Sequence, residues 1–300
     1  MFRPYIPLLA FALAGVSGRA QMVPGPDEPA PPAARPFFSR VSGLFSGDLP
    51  QLDSPGAVKF ILRAHFGDLV RRDYLRVDTG LRWALDEDFE VSGEADTFFT
   101  HGLRGSAGYG IGKFRFGSKY VFERWPTADY ETSLGLNLDL PVGHPPLDMT
   151  DGHNHVTPTV VVQHFWTSIP RLSTFAGLGV DVVSDSSARG TWGTNQPHDD
   201  TLSFTTGGVY DAGQLKWTLT GIYATSALIT NHPTPYYLLQ PGLLWYVPKK
   251  LTFHAKTQWI VGLNANASWG PDGFDLSLGS RVRAEITFRQ VMDKLRASTR

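Results

Sequence analysis

The sequence predicts an all-β protein, a transmembrane antiparallel up-and-down β-barrel of about 12 strands. Three observations carry that prediction. Apolar and polar residues alternate along segment after segment from residue 57 onward. The connections between segments alternate between short and long. Five tryptophans, Trp83, Trp125, Trp166, Trp217 and Trp245, fall within a few residues of the short connections.

The alternation is clearest over 274–288. There Phe274, Leu276, Leu278, Val282, Ala284, Ile286 and Phe288 share one face, against Asp275, Ser277, Gly279, Arg281, Arg283, Glu285 and Thr287. Leu134, Leu136, Leu138 and Leu140 oppose Glu131, Ser133, Asn137 and Asp139 in the same way. Successive side chains of a strand point to opposite faces, so a period of two reads as strand. Twelve such segments are read at 57–66, 73–85, 88–100, 105–123, 129–140, 155–167, 172–183, 200–211, 214–225, 235–247, 250–262 and 273–288. Many reach the roughly 9–11 residues that a tilted strand needs to cross a bilayer. The glycines Gly108, Gly110 and Gly112 thin the fourth segment and read as close packing or bending.

Short connections follow the even segments, at 86–87, 125–128, 168–171, 212–213 and 248–249. Longer ones follow segments five, seven, nine and eleven, at 141–154, 184–199, 226–234 and 263–272. Tight turns at one end and long loops at the other are the pattern of an outer-membrane barrel. Tryptophans near the turns suit an interfacial girdle. A water-soluble sandwich would place them mid-strand in its core. The segment from Trp217 to Pro248 lacks Asp, Glu, Lys and Arg, but Pro233, Pro235 and Pro241 exclude a spanning helix there.

Composition excludes several function classes. With 27 Lys+Arg against 28 Asp+Glu the formal charge is −1, so no nucleic-acid partner is expected. Zero cysteines exclude disulfides, thiolate metal sites and a cysteine nucleophile. Apolar residues make up 42% and charged residues only 18%, so much of the chain is buried without a long apolar run.

Residues 1–20, with Arg3, an apolar stretch from Tyr5 to Val16 and small residues at Gly18 and Ala20, have the layout of a secretory signal peptide. Residues 21–56 carry eight prolines and read as a periplasmic arm or linker. The barrel follows at 57–288 and a tail at 289–300, where Val291 and Leu295 suit one short helix. The expected location is the cell outer membrane. The expected partners are its lipid and lipopolysaccharide, the barrel-assembly machinery and a small-molecule solute.

The stretch SLGLNLDLPVGHPPLDMTDGHNHVTPTVVVQHFW (133–166), followed by LSTFAGLGVDVV (172–183), resembles a family of Gram-negative outer-membrane barrels. These are transporters of the "MetA pathway of phenol degradation" type. The resemblance implies an outer-membrane location and solute passage, and names no substrate. Many outer-membrane barrels end on an aromatic residue. Here Phe288 would fill that role, but 12 residues follow it.

If the apolar faces meet lipid, the opposite faces line the lumen. The lumen-lining candidates are Lys59, Arg63, Arg76, Asp78, Arg82, Glu94, Arg115, Lys119, Glu131, Arg281, Arg283 and Glu285. Closure sets the last strand beside the first, giving one wall crowded with charge and a basic seam along strands 12, 1 and 2. Strands 6 to 10 place inward only one charge, Asp181, among neutral residues such as Gln163, Phe175, Thr205 and Gln240. Two readings stand. In one, a small organic solute, amphipathic or aromatic, passes with its carboxylate on the seam and its ring on the neutral wall. In the other, the lumen is filled by ion pairs and the barrel is a non-conducting structural or surface-interaction protein.

An enzyme is not expected. The His-x-Ser-Asn-Gly pattern of outer-membrane phospholipases is absent, and no phosphate-cradling loop or dinucleotide fingerprint occurs, so no cofactor is implied. A surface hydrolase working from loops 141–154 and 184–199 is the remote third reading. Asp148, Asp151, His153, His155, Asp199 and Asp200 are rich in oxygen and nitrogen donors, but their spacing matches no ligand motif, so no metal is assigned.

Overall fold

A strand with one apolar and one polar face must bury or solvate each separately, and a sheet that closes on itself does so without leaving an edge. The protein takes that solution. Its structure, a computed structural model, describes residues 55–66, 68–71, 73–103, 108–143, 146, 152–184, 200–225, 235–251, 257–270 and 273–287. The expected signal peptide, most of the arm, the tail and the centres of the long loops lie outside them.

Twelve strands run β1 (Val58–His65), β2 (Tyr74–Ala84), β3 (Phe89–Thr100), β4 (Tyr109–Glu123), β5 (Tyr130–Pro141), β6 (Asn154–Phe165), β7 (Leu172–Ser184), β8 (Thr201–Asp211), β9 (Leu215–Thr225), β10 (Tyr236–Tyr246), β11 (Thr257–Gly270) and β12 (Gly273–Thr287). A one-turn helix, α1 (Asp68–Arg71), lies between β1 and β2, and a 3-10 turn (Lys249–Leu251) between β10 and β11. Each strand pairs antiparallel with its sequence neighbours, and β1 pairs with β12 from Lys59↔Thr287 to His65↔Arg281, closing the barrel.

Sequence explains the local geometry. At the β2–β3 turn the Asp86 carboxylate accepts from the backbone N–H groups of Asp88 (2.9 Å) and Phe89 (2.7 Å). Gly213 turns β8 into β9 at φ 86°, a conformation that favours glycine, and donates its N–H to Asp211 at 2.8 Å. The register of β3 with β4 passes from Asp96↔Lys113 to Thr97↔Ile111, so Gly112 is the extra residue of a bulge. A Cβ on Gly110 would come within 3.1 Å of the Phe98 ring. The glycines that thin β4 therefore bend it and admit an inward aromatic.

The outward face is apolar and ends in aromatic clusters. At the short-turn end, Tyr120 packs on Phe122 (4.7 Å between centroids), and His164 lies between Tyr130 (4.5 Å) and Trp166 (4.6 Å). Trp83, Trp125, Trp166, Trp217 and Trp245 are all exposed there. At the opposite end Tyr223 meets Tyr237 at 5.1 Å and Trp269 meets Phe274 at 5.4 Å. Two aromatic girdles thus bound an apolar band.

The largest correction concerns β11. The sequence reading placed it at 250–262, with a long loop at 263–272. The strand runs from Thr257 to Gly270 and joins β12 by a two-residue connection, with Gly270 opposite Gly273. The connection before it, read as two residues, extends from 247 to 256. Asn264 and Asn266 had read as loop. Both belong to the strand, and the Asn264 side chain donates to Asn266 at 2.7 Å. The fourth segment likewise starts at Tyr109 rather than residue 105.

Candidate functional site: a two-walled lumen

Register sets the charged side chains in rows across the wall. One row reads Arg63↔Asp78↔Asp96↔Lys113 across β1 to β4, and the next reads Gly80↔Glu94↔Arg115↔Asp139↔His155 across β2 to β6. Signs alternate along the second row, while in the first Asp78 and Asp96 stand side by side and each pairs outward along the row, with Arg63 and Lys113. Glu94 is the hub. It lies 3.6 Å from Arg63, 3.7 Å from Arg82 and 3.8 Å from Arg115. The reach from Glu94 to Arg63 passes over Gly80, where an added Cβ would sit 2.6 Å from the Glu94 Cγ. Glycine at 80 is therefore what lets a β3 carboxylate reach a β1 guanidinium.

The remaining pairs follow the same rule. Arg115 holds Asp139 through two hydrogen bonds, at 2.9 and 3.1 Å, and Lys113 bonds Asp139 at 3.0 Å while lying 3.5 Å from Asp96. Lys119 lies 3.7 Å from Glu90. Asp78 meets Arg63 at 3.4 Å and the His65 ring at 2.6 Å. Arg76 reaches the other His65 nitrogen at 3.4 Å and lies 3.7 Å from Asp68 of α1. Among the described residues, these pairs link strands at most two apart.

The other candidates are placed as follows. Lys59 sits opposite Arg82 and Thr287. Glu131 lies at the short-turn end, opposite Glu123 and Gln163, away from the network. The backbone sets Arg281 opposite His65 and Gly262, and Glu285 opposite Ile61 and Gln258. Arg283 stands directly opposite Arg63.

The facing wall, β6 to β11, is neutral for most of its height. Gln163 donates to Ser173 at 2.9 Å, Ser203 to the Gly179 carbonyl at 3.1 Å, and Gln240 to Asn266 at 2.6 Å. Two prolines shape it by withholding a ladder donor. The β6–β7 register passes from Val156↔Val182 to Thr159↔Gly179 around Pro158, and there Thr157 donates to Asp181 at 3.0 Å. The β10–β11 register skips in the same way around Pro241, beside the Gln240–Asn266 bond.

Sequence reading missed two features of this wall. His155 had been grouped with the loop donors, yet it is a buried β6 residue bonded to Asp181 at 2.9 Å. The outward run Val156, Pro158, Val160 and Val162 already gave it the inward parity. Asp181 is also not the only charge on strands 6 to 10, because Lys216 pairs with Asp211 at 2.9 Å at the short-turn rim. Of the loop donors, Asp200 accepts the Val183 N–H at 2.9 Å, while Asp148, Asp151 and Asp199 lie outside the described residues.

Between the walls, toward the short-turn end, lies a cavity of about 250 Å³. Phe175, Thr220, Ile222 and Gln240 border it on the neutral side, and Arg63 and Arg283 on the charged side.

Comparison with solved structures places this architecture. An outer membrane channel from Pseudomonas putida superposes with a TM-score of 0.54 at 12% identity, covering 81% of this chain and 98% of that one. The KdgM porin gives 0.43 at 9% identity over 77% of this chain and 97% of that one. The CymD monoaromatic hydrocarbon channel gives 0.40 at 11% identity over 79% and 89%. The chain has the fold of outer-membrane channel barrels. No family model matches it, and no curated protein does.

Proposed function

We propose that the protein sits in the cell outer membrane and passes a small organic solute, amphipathic or aromatic, by passive diffusion. One observation carries the reading: among the described residues, the ion pairs of the charged wall join strands at most two apart. Salt bridges laid in this way neutralise a wall without stitching the two sides together. The cavity between the ionic and neutral walls fits a solute with one charged end and one apolar end. The resemblance of 133–166 and 172–183 to outer-membrane transporters supports passage and names no solute. The reading gives the barrel no catalytic step.

The competing reading, a closed ion-paired barrel, uses the same charges. A liposome-swelling assay separates the two. Proteoliposomes of the refolded full chain are expected to swell in isotonic small organic solutes of one ring and to resist swelling in trisaccharides. Vesicles that hold folded protein and swell no faster than protein-free ones would overturn passage in favour of the closed barrel.

A further inference from the structure

Resting on the passage reading, we infer that the cavity between Phe175 and the Arg63–Arg283 pair is a binding subsite for a monocyclic carboxylate, so that the solute is retained there during transit. Three observations converge on that site.

The first is electrostatic. Arg63 and Arg283 are cross-strand partners on β1 and β12, and both line the cavity. Like charges directly opposite each other on one sheet face repel. Asp78 at 3.4 Å and Glu94 at 3.6 Å offset Arg63 from the β2–β3 side, and the carboxylate of a solute lying between the two guanidiniums offsets the pair from the lumen side. A guanidinium presents a planar fork of donors that matches a carboxylate with two parallel hydrogen bonds.

The second is steric. Phe175 stands six strands from β1, on the opposite wall. Its ring tip seats against Gly207, where an added Cβ would lie 2.6 Å from Cζ. Glycine there lets the aromatic side chain lie back on β8, where it is largely buried yet still borders the cavity, and a second ring can pack against it there.

The third is size. A cavity of about 150 Å³ holds benzene. The volume here, about 250 Å³, adds room for a carboxylate and a small substituent. Gln240 and Thr220 lie on the same side as Phe175 and offer neutral hydrogen bonds to such a substituent.

The test titrates benzoate onto the refolded full chain in a planar bilayer, beside acetate, which lacks the ring, and benzyl alcohol, which lacks the charge. Benzoate is expected to block the current saturably, at concentrations at least tenfold below either control. Arg283→Gln and Phe175→Ala are each expected to raise the half-blocking concentration about tenfold or more. Where Arg283→Gln fails to fold, Arg283→Lys retains charge without the fork and is expected to give an intermediate shift. A benzoate block no stronger than the acetate block, or one that survives both substitutions, overturns the subsite and leaves passage standing. If the bilayers stay silent, calorimetric titration of benzoate into the detergent-folded protein decides. Saturable heat lost in Arg283→Gln supports the subsite while passage falls, and no heat overturns the subsite.

Discussion

Replacing Glu94 by Gln removes the one carboxylate shared by Arg63, Arg82 and Arg115 and leaves three guanidiniums converging on a neutral amide. Glu94 is 9% exposed, and its contacts measure 3.6, 3.7 and 3.8 Å. Unpairing a buried charge costs about 3–5 kcal/mol. Arg115 keeps Asp139 and Arg63 keeps Asp78, so the expected loss lies at the lower end, about 3 kcal/mol. Urea unfolding of the refolded barrel, followed by tryptophan fluorescence, reads the loss as a lower midpoint at unchanged slope. Gly80→Ala perturbs the same hub without changing charge, because the new Cβ would lie 2.6 Å from the Glu94 Cγ and push it aside, and it is expected to lose a smaller part of the same stability. A loss below about 1 kcal/mol for Glu94→Gln, the level of an exposed surface pair, would refute the hub.

Three further outcomes are expected. Gly207→Ala pushes the Phe175 ring toward the lumen and crowds the Leu219 carbonyl, so unit conductance falls; an unchanged conductance would count against the seat described for Phe175. Thr157→Val removes the hydroxyl that donates to the buried Asp181 carboxylate at 3.0 Å, at a cost of about 1.5–3 kcal/mol in the unfolding midpoint. Leu219→Arg places a charge on the outward band at a position 51% exposed. In a bilayer that costs about 2–4 kcal/mol near the midplane, whereas on a water-facing surface it would cost within about 0.5 kcal/mol.

Most of the barrel was legible because period-two alternation is a property of the strand backbone and lipid enforces it on the outer face. Leu134, Leu136 and Leu138 announce β5 for that reason. The signal failed where small or amide residues blurred it. Ala265 and Ala267 gave β11 a faint outer face, and Asn264 and Asn266 read as loop although they face a polar lumen and bond there. Parity alone gives each strand an inward and an outward face. The pairing within the charged wall was not legible from it, since it depends on which residues share a row, and Glu94 becomes a hub only because Gly80 leaves space beside it. His155 was grouped with the loop donors although the sixth segment, read at 155–167, already contained it.

Single-channel recording of the refolded protein in a planar bilayer, wild type beside Arg281→Ser/Arg283→Ser, tests the central claim most directly. The account predicts discrete conductance steps with an anion preference that weakens in the double variant, since both residues belong to the strand that closes on β1. A protein that inserts, stays heat-modifiable on gels and never conducts would contradict it.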